Sequence, residues 1–133
     1  MTWPVRVEQR VQWGDMDALG HVNNARYLTW FETARILLFE RVGLVGPRAQ
    51  GAVGPILARI ACDFRSPVVY PATVACACRV VSLGRTSFVL DHAVLQDGKV
   101  VAQGEGVIVV LDYESGQKVL LPEPLRAALE AHQ

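Results

Sequence analysis

Between Val5 and Gln12 the chain alternates, with Val5, Val7 and Val11 set against Arg6, Glu8, Arg10 and Gln12. A period of two with one polar face predicts a strand. Further on the period changes. Tyr27, Phe31, Ala34 and Leu38 recur at helical spacing, and Trp30, Ile36, Leu37 and Val42 widen the stripe. This predicts a helix over 24–42, roughly 28 Å long, apolar over most of its circumference and therefore buried. Asn23 suits the N-cap and Gly43 the position just past the end. After a Gly/Pro-rich connection, Gly43 to Pro55, strands are expected near 56–65, 72–83, 86–97 and 99–112, with Ile56, Ala58, Ile60, Cys62 and Phe64 sharing one face. "QDGK" at 96–99 signals a type I′ hairpin, and "LGRT" at 83–86 is a weaker turn signal. Gly104 and Gly106 interrupt the last strand, where glycine marks close approach of another backbone or a helix. The tail "PEPLRAALEAHQ" reads as a short helix begun by proline.

The order is strand, long helix, then four strands joined by tight turns. Consecutive hairpins make an antiparallel sheet, and the helix must lie against it, so the class is α+β in one domain, 1–133. One sheet covers only one side of a helix that is apolar nearly all round. Another subunit is the simplest cover for the rest, so a dimer or tetramer is expected.

Formal net charge is zero, and no basic stripe marks a nucleic-acid surface. The longest uncharged run, Ser66 to Cys78, is too short for a membrane span and carries two prolines. The N-terminus has no apolar stretch of signal-peptide type. Cys62, Cys76 and Cys78 are odd in number and fall in apolar strand patterns, so they read as reduced, buried and inert, which points to the cytoplasm. Arginines outnumber lysines 11 to 2; heat adaptation and a GC-rich genome both produce that bias.

The chemistry concentrates in "WGDMDALGHVNNAR", directly before the helix. An EF-hand reading of Asp15-x-Asp17 fails, because Leu19 and Arg26 stand at its fifth and twelfth positions. Asp15, Asp17 and His21 are ligand types for a metal but lack a fourth partner. The remaining reading uses the helix terminus. Its first turn offers unpaired N–H groups and the positive end of a macrodipole, which can hold a carbonyl oxygen that becomes negative during attack. A carboxylate just upstream, Asp17, can act as nucleophile or as general base on water, with Gly20 permitting the turn between. Acyl transfer is the reaction class that fits.

"DMDALGHVNNARY" at 15–27 resembles the signature of the hotdog-fold acyl-CoA thioesterases, nearest to the 4-hydroxybenzoyl-CoA thioesterase-like and Tol–Pal-associated families. Similarity continues in "WFETAR" at 30–35, "DFRSP" at 63–67, "LGRTSF" at 83–88 and the late "LP" at 121–122. The resemblance implies a five-stranded antiparallel sheet wrapped around one long central helix. It also implies dimers joined sheet edge to edge, often paired into tetramers. The second aspartate, here Asp17, would be catalytic, and the backbone N–H of Asn24 would be the oxyanion contact. The active site would lie at the dimer interface and the pantetheine arm would enter between subunits. Coenzyme A is then part of the substrate, and no separate cofactor is implied. A related plant branch gives functional weight to the His of its His-Val-Asn-Asn run, here His21; its further Asn is replaced by Leu19.

Each residue also has a plainer reading. Asp15 reads as turn-forming. His21 either serves the substrate or satisfies loop carbonyls. Asn23 is first an N-cap and second a substrate ligand, and Tyr27 is core unless its hydroxyl reaches the acyl pocket. Glu32 and Arg35 are spaced for a local pair, and Glu32 on a mostly apolar helix is a candidate substrate contact. His92 reads as a satisfied strand histidine. Arg65 and Arg85, at strand ends, are candidate ligands for the phosphates of coenzyme A, and Thr86 and Ser87 beside Arg85 are grouped with them as substrate contacts. Two other functions compete with an acyl-CoA thioesterase. A hotdog dehydratase or hydratase would pair His21 with Glu32, and a non-catalytic scaffold would bind an acyl thioester without turnover.

Overall fold

A computed structural model of the chain describes residues 2–49 and 51–133; Gln50, in the connection after the helix, lies outside the described residues. The elements are β1 (Val5–Arg10), a 3-10 turn (Trp13–Asp15), α1 (Asn24–Val42), a second 3-10 turn (Gly46–Arg48), β2 (Val53–Ile60), β3 (Asp63–Phe64), β4 (Thr73–Leu83), β5 (Ser87–Gln96), β6 (Lys99–Asp112) and α2 (Glu123–Glu130). All pairings are antiparallel, in the order β1-β4-β5-β6-β2, and β3 adds to β6 beyond the end of β2. Strands β1 and β2 thus occupy opposite edges. Helix α1 is the connection between them and packs across β1, β4 and β5.

The helix occupies the span that its apolar spacing predicts. Asn23 caps it through its side chain, and Gly43 ends it at φ +83°, where a side chain would be strained. Tyr27, Trp30, Phe31, Ala34, Arg35, Leu38, Phe39 and Val42 are buried. They meet the inward positions of the sheet, among them Val74, Cys76, Cys78, Val80, Phe88, Leu90 and His92. The β5–β6 turn runs through Asp97 at φ 52° and Gly98 at φ 77°, the two positive values a type I′ turn requires.

The structure corrects three expectations. The helix is not apolar all round: Leu28, Glu32 and Ile36 form an exposed row at i, i+4 and i+8. The strand expected over 56–65 is two strands. A register shift between Leu57 and Arg59 exchanges the two faces, so Ile56 stays exposed while Ile60 packs beside Gly106. The chain then passes over β6 at Ala61 and Cys62 before β3 begins, so five long strands are joined by a sixth, two-residue one. Gly104, by contrast, marks the close approach of another backbone that its position predicts, and Gly106 that of a core side chain. A Cβ on Gly104 would lie 1.8 Å from the Ala61 carbonyl oxygen, and one on Gly106 2.8 Å from the His92 ring. Finally, Glu32 and Arg35 form no ion pair; among the described residues those are Arg26–Asp15, Arg59–Glu105 and Arg79–Asp91.

Arg35, 6% exposed, instead donates to Nε2 of the fully buried His92 at 3.4 Å. A guanidinium only donates, so the ring proton sits on Nδ1, which donates to the Gly104 carbonyl at 3.2 Å. Phe31 stacks on the imidazole at 4.9 Å. Burial, and then the Arg35 charge, depress the His92 pKa to about 4. The three thiols are free, and burial pushes Cys76 and Cys78 up to about 12 and Cys62 to about 11.

The depressed histidine makes stability depend on pH. Above the ordinary value of 6.5 both folded and unfolded chains hold His92 neutral. Between 6.5 and about 4 only the unfolded chain takes up the proton, so stability is lost as the pH is lowered through that window. The slope contributed reaches about 1.4 kcal/mol per pH unit. Denaturant titrations of wild type and His92→Gln over that window should show the slope reduced in the variant; equal slopes would remove His92 as its source.

Candidate active site

The loop before α1 is held by Asp15, which is 8% exposed. One carboxylate oxygen accepts from the Gln12 N–H at 2.7 Å, the other faces Arg26 Nε at 3.4 Å, and the Asp15 carbonyl accepts from the Asn23 N–H at 2.8 Å. Three contacts thus tie the end of β1, the loop and the first helical turn together, which gives Asp15 the structural role its position in the sequence suggests. Past it the chain doubles back. Met16 and Val22 pair as an isolated bridge, and the Asp17 N–H donates to the His21 carbonyl at 3.0 Å. Gly20, at φ +86°, makes the reversal. The Leu19 N–H donates to Asp17 Oδ1 at 2.9 Å, which fixes the carboxylate against its own turn.

The helix opens directly after this loop. Asn23 Oδ1 accepts from the Ala25 N–H at 2.9 Å. The Asn24 N–H has no acceptor among the described residues, as the first turn of a helix dictates. Asn24 lines a cavity of about 530 Å³ whose wall also carries Asp17, His21, Tyr27 and Arg65. The opposite wall is the segment Phe64–Pro67. β3 hangs it on β6, and the Arg65 and Ser66 N–H groups both donate to the Val101 carbonyl, at 2.8 and 3.1 Å. The Val22 N–H donates to the Val68 carbonyl at 2.9 Å and closes the two walls at the base. Burial raises the Tyr27 phenol above its ordinary value. The positive terminus of the helix and an acidic residue thus line one cavity, a combination whose chemistry suits a carbonyl that gains negative charge.

Five of the ten residues singled out in the sequence therefore gather here: Asp17, His21, Asn24, Tyr27 and Arg65. The others lie elsewhere in the chain. Asn23 spends its side chain on the cap. Glu32 is exposed on the outer face of α1. Arg85, Thr86 and Ser87 sit at the β4–β5 turn. Ser87 pairs with Val109, while Phe64 at the cavity pairs with Ala102, seven residues or about 23 Å along β6. Phe64, Leu19, Ser66 and Pro67 line the cavity without having been singled out. The "DFRSP" stretch was the available signal, but Phe64 read as one member of a continuous strand face. With Asp15 engaged by Arg26, no group of three or more His, Cys, Asp or Glu gathers into a metal donor set among the described residues. Among those residues no helix is long and apolar enough to cross a membrane.

Residues 11–129 match the thioesterase-like superfamily. The chain belongs to that family. A thioesterase of Thermus thermophilus, solved with coenzyme A and zinc, is 38% identical, with a TM-score of 0.84 over 97% of this chain and 93% of that one. The PA5185 protein of Pseudomonas aeruginosa is 31% identical, with a TM-score of 0.86 over 98% and 92% of the two chains. The 1,4-dihydroxy-2-naphthoyl-CoA hydrolase of Synechococcus sp. strain CC9605 is 28% identical, over 96% of this chain and 90% of its own length. The fold is the hotdog arrangement, a curled antiparallel sheet around a long helix, and the protein is a thioester hydrolase.

The two aspartates of this thioesterase should separate experimentally. Asp15→Ala removes the acceptor for the Gln12 N–H and the partner of Arg26, and should lower stability by about 1–3 kcal/mol. Asp17→Asn keeps the turn-capping acceptor and should stay within about 0.5 kcal/mol of wild type. Urea unfolding of both variants checks the contrast; equal losses would contradict it.

Proposed function

We propose that the protein hydrolyses an acyl-CoA thioester to the free acid and coenzyme A. The observation that carries this reading is that Asp17 and Asn24, the first helical residue, whose N–H has no acceptor among the described residues, line the same cavity. In it the thioester carbonyl accepts a hydrogen bond from Asn24, and the helix terminus stabilises the oxyanion. Asp17 attacks the carbonyl carbon to give an anhydride that water opens, or takes a proton from the water that attacks directly. In either route the C–S bond breaks and the departing sulfur ends protonated as the CoA thiol. His21 lies on the rim, placed to orient substrate or water. Coenzyme A belongs to the substrate, as the CoA complex of the Thermus relative and the name of the Synechococcus hydrolase support. The competing dehydratase needs a His and a helix carboxylate on one cavity, and Glu32 does not line this one.

A second copy completes the site in this reading. Among the described residues β2 ends the sheet with a free edge, Ile56 and Leu57 on it are exposed, and so are Leu28 and Ile36 on α1. A homodimer through that edge, alone or paired into a homotetramer, covers them. It also offers a way to bring the Arg85-Thr86-Ser87 turn of one chain towards the cavity of the other, with Arg65 and Arg85 meeting the CoA phosphates. The reduced thiols fit a cytoplasmic protein.

Steady-state hydrolysis of a panel of acyl-CoAs tests the mechanism. Asp17→Asn should lower kcat by about 10²–10⁴-fold while a thioether analogue still binds. Near wild-type kcat would remove Asp17 as the catalyst, and binding without turnover in wild type would favour the scaffold function. Sharing of the site has its own test. Arg85→Ala should raise KM, and refolding it together with Asp17→Asn should regain activity above that of either variant alone, because one site per hybrid dimer is then intact. No gain on mixing would place Arg85 outside a shared site.

A further inference from the structure

Tyr27 lies on the cavity wall although only 3% of its surface is exposed. It stands three residues after Asn24, on the same side of α1 and about 4.5 Å further along the axis. Helical side chains lean back towards the N-terminus, so its ring lies over the turn that carries the Asn24 N–H. The ring is wedged edge-on between Phe64, at 5.1 Å and 89°, and Trp30, at 5.2 Å and 63°. Phe64 is itself on the cavity wall, whereas Trp30, also 3% exposed, is not. On this side the Tyr27 ring bounds the cavity, and the Trp30 indole packs against that ring outside it. Asp17, His21, Arg65 and Ser66 line the same cavity. Tyr27 and Phe64 make this side of the wall aromatic.

We propose that Tyr27 determines specificity by closing the acyl end of the cavity, so that the substrates are thioesters of compact acyl groups, short or single-ring, and not of long alkyl chains. The proposal rests on the hydrolase reading and deepens it. An acyl group whose carbonyl sits on Asn24 meets the Tyr27 ring within about one helical turn. A longer chain has no path through it while the ring is in place. Removing the ring extends the space back to the face of Trp30.

The test compares kcat/KM for butyryl-, benzoyl-, octanoyl- and palmitoyl-CoA, together with the Kd of the matching thioether analogues. Wild type should prefer butyryl and benzoyl over octanoyl and palmitoyl by at least about tenfold, within the range one or a few methylenes give in a closed pocket. Tyr27→Ala should raise the octanoyl-to-butyryl ratio about tenfold or more. Tyr27→Leu keeps apolar bulk in the core if the alanine variant folds poorly, and should move the ratio the same way. Tyr27→Phe, which keeps the ring, should leave the ratio within about twofold of wild type. A ratio unmoved in folded Tyr27→Ala and Tyr27→Leu overturns the proposal, as does wild-type turnover of palmitoyl-CoA as fast as butyryl-CoA. If no acyl-CoA is hydrolysed but the analogues show the same length limit and the same shift, the hydrolase reading fails and the gauge stands. If none of the analogues binds, both fail.

Discussion

The site depends on one buried carboxylate that takes no part in the proposed chemistry. Asp15 holds the Gln12 N–H, the Arg26 side chain and, through its carbonyl, the Asn23 N–H. These join three pieces of chain that the core alone would not keep in register. The apolar face of α1 fixes the helix against the sheet, but it does not dictate where the loop before the helix runs. Hydrogen bonds to an ionised, nearly buried acceptor contribute about 1.5–3 kcal/mol each, enough to hold a short polar loop whose own contacts are few. Asp17 is then carried to the cavity by geometry it does not itself set. The two aspartates thus differ in place: Asp15 holds the loop and Asp17 lines the cavity.

The second wall follows from a crowding constraint in the sheet. Strand β2 cannot run straight on, because its chain passes over β6 with the Ala61 carbonyl where a side chain on residue 104 would stand. Glycine at 104 lets that passage lie close, and the Gly104 carbonyl in turn receives the His92 ring proton. Helix, sheet and passage meet at this point through Arg35, His92 and Gly104. Beyond it β3 sets Phe64 and Arg65 opposite the helix terminus. The buried polar contacts at this junction and at Asp15 thus place the two walls of one cavity.

Much of this was legible in the chain. The stripe from Tyr27 to Val42, bounded by Asn23 and Gly43, fixes α1 because its buried face, cap and terminator all agree. Asp97-Gly98 likewise fixes a hairpin, because few other dipeptides accept two positive φ values. The core of the site was legible for the same reason: it lies next to the cap in sequence. What failed was non-local. Ile36 looks like core in a one-dimensional pattern and turns out exposed, since periodicity does not say how far a sheet curls around a helix. The register shift near Ala58 leaves no mark in the alternation of Ile56, Ala58 and Ile60, yet it separates β2 from β3 and makes Phe64 a wall of the cavity. Arg35 invites pairing with Glu32, one turn away. Its real partner, His92, is distant in sequence and is chosen by the packing of helix on sheet.

The central claim is that the N-terminus of α1 receives the thioester oxygen with Asp17 facing the acyl carbon. The most direct measurement is a crystal structure of the protein with a CoA ketone analogue in which a methylene replaces the thioester sulfur, leaving the carbonyl unhydrolysed. The account predicts the ketone oxygen within hydrogen-bond distance of the Asn24 N–H and the Asp17 carboxylate, or a water bound to it, against the carbonyl carbon. A ketone oxygen held by any other group, with Asn24 N–H left to solvent, would contradict it.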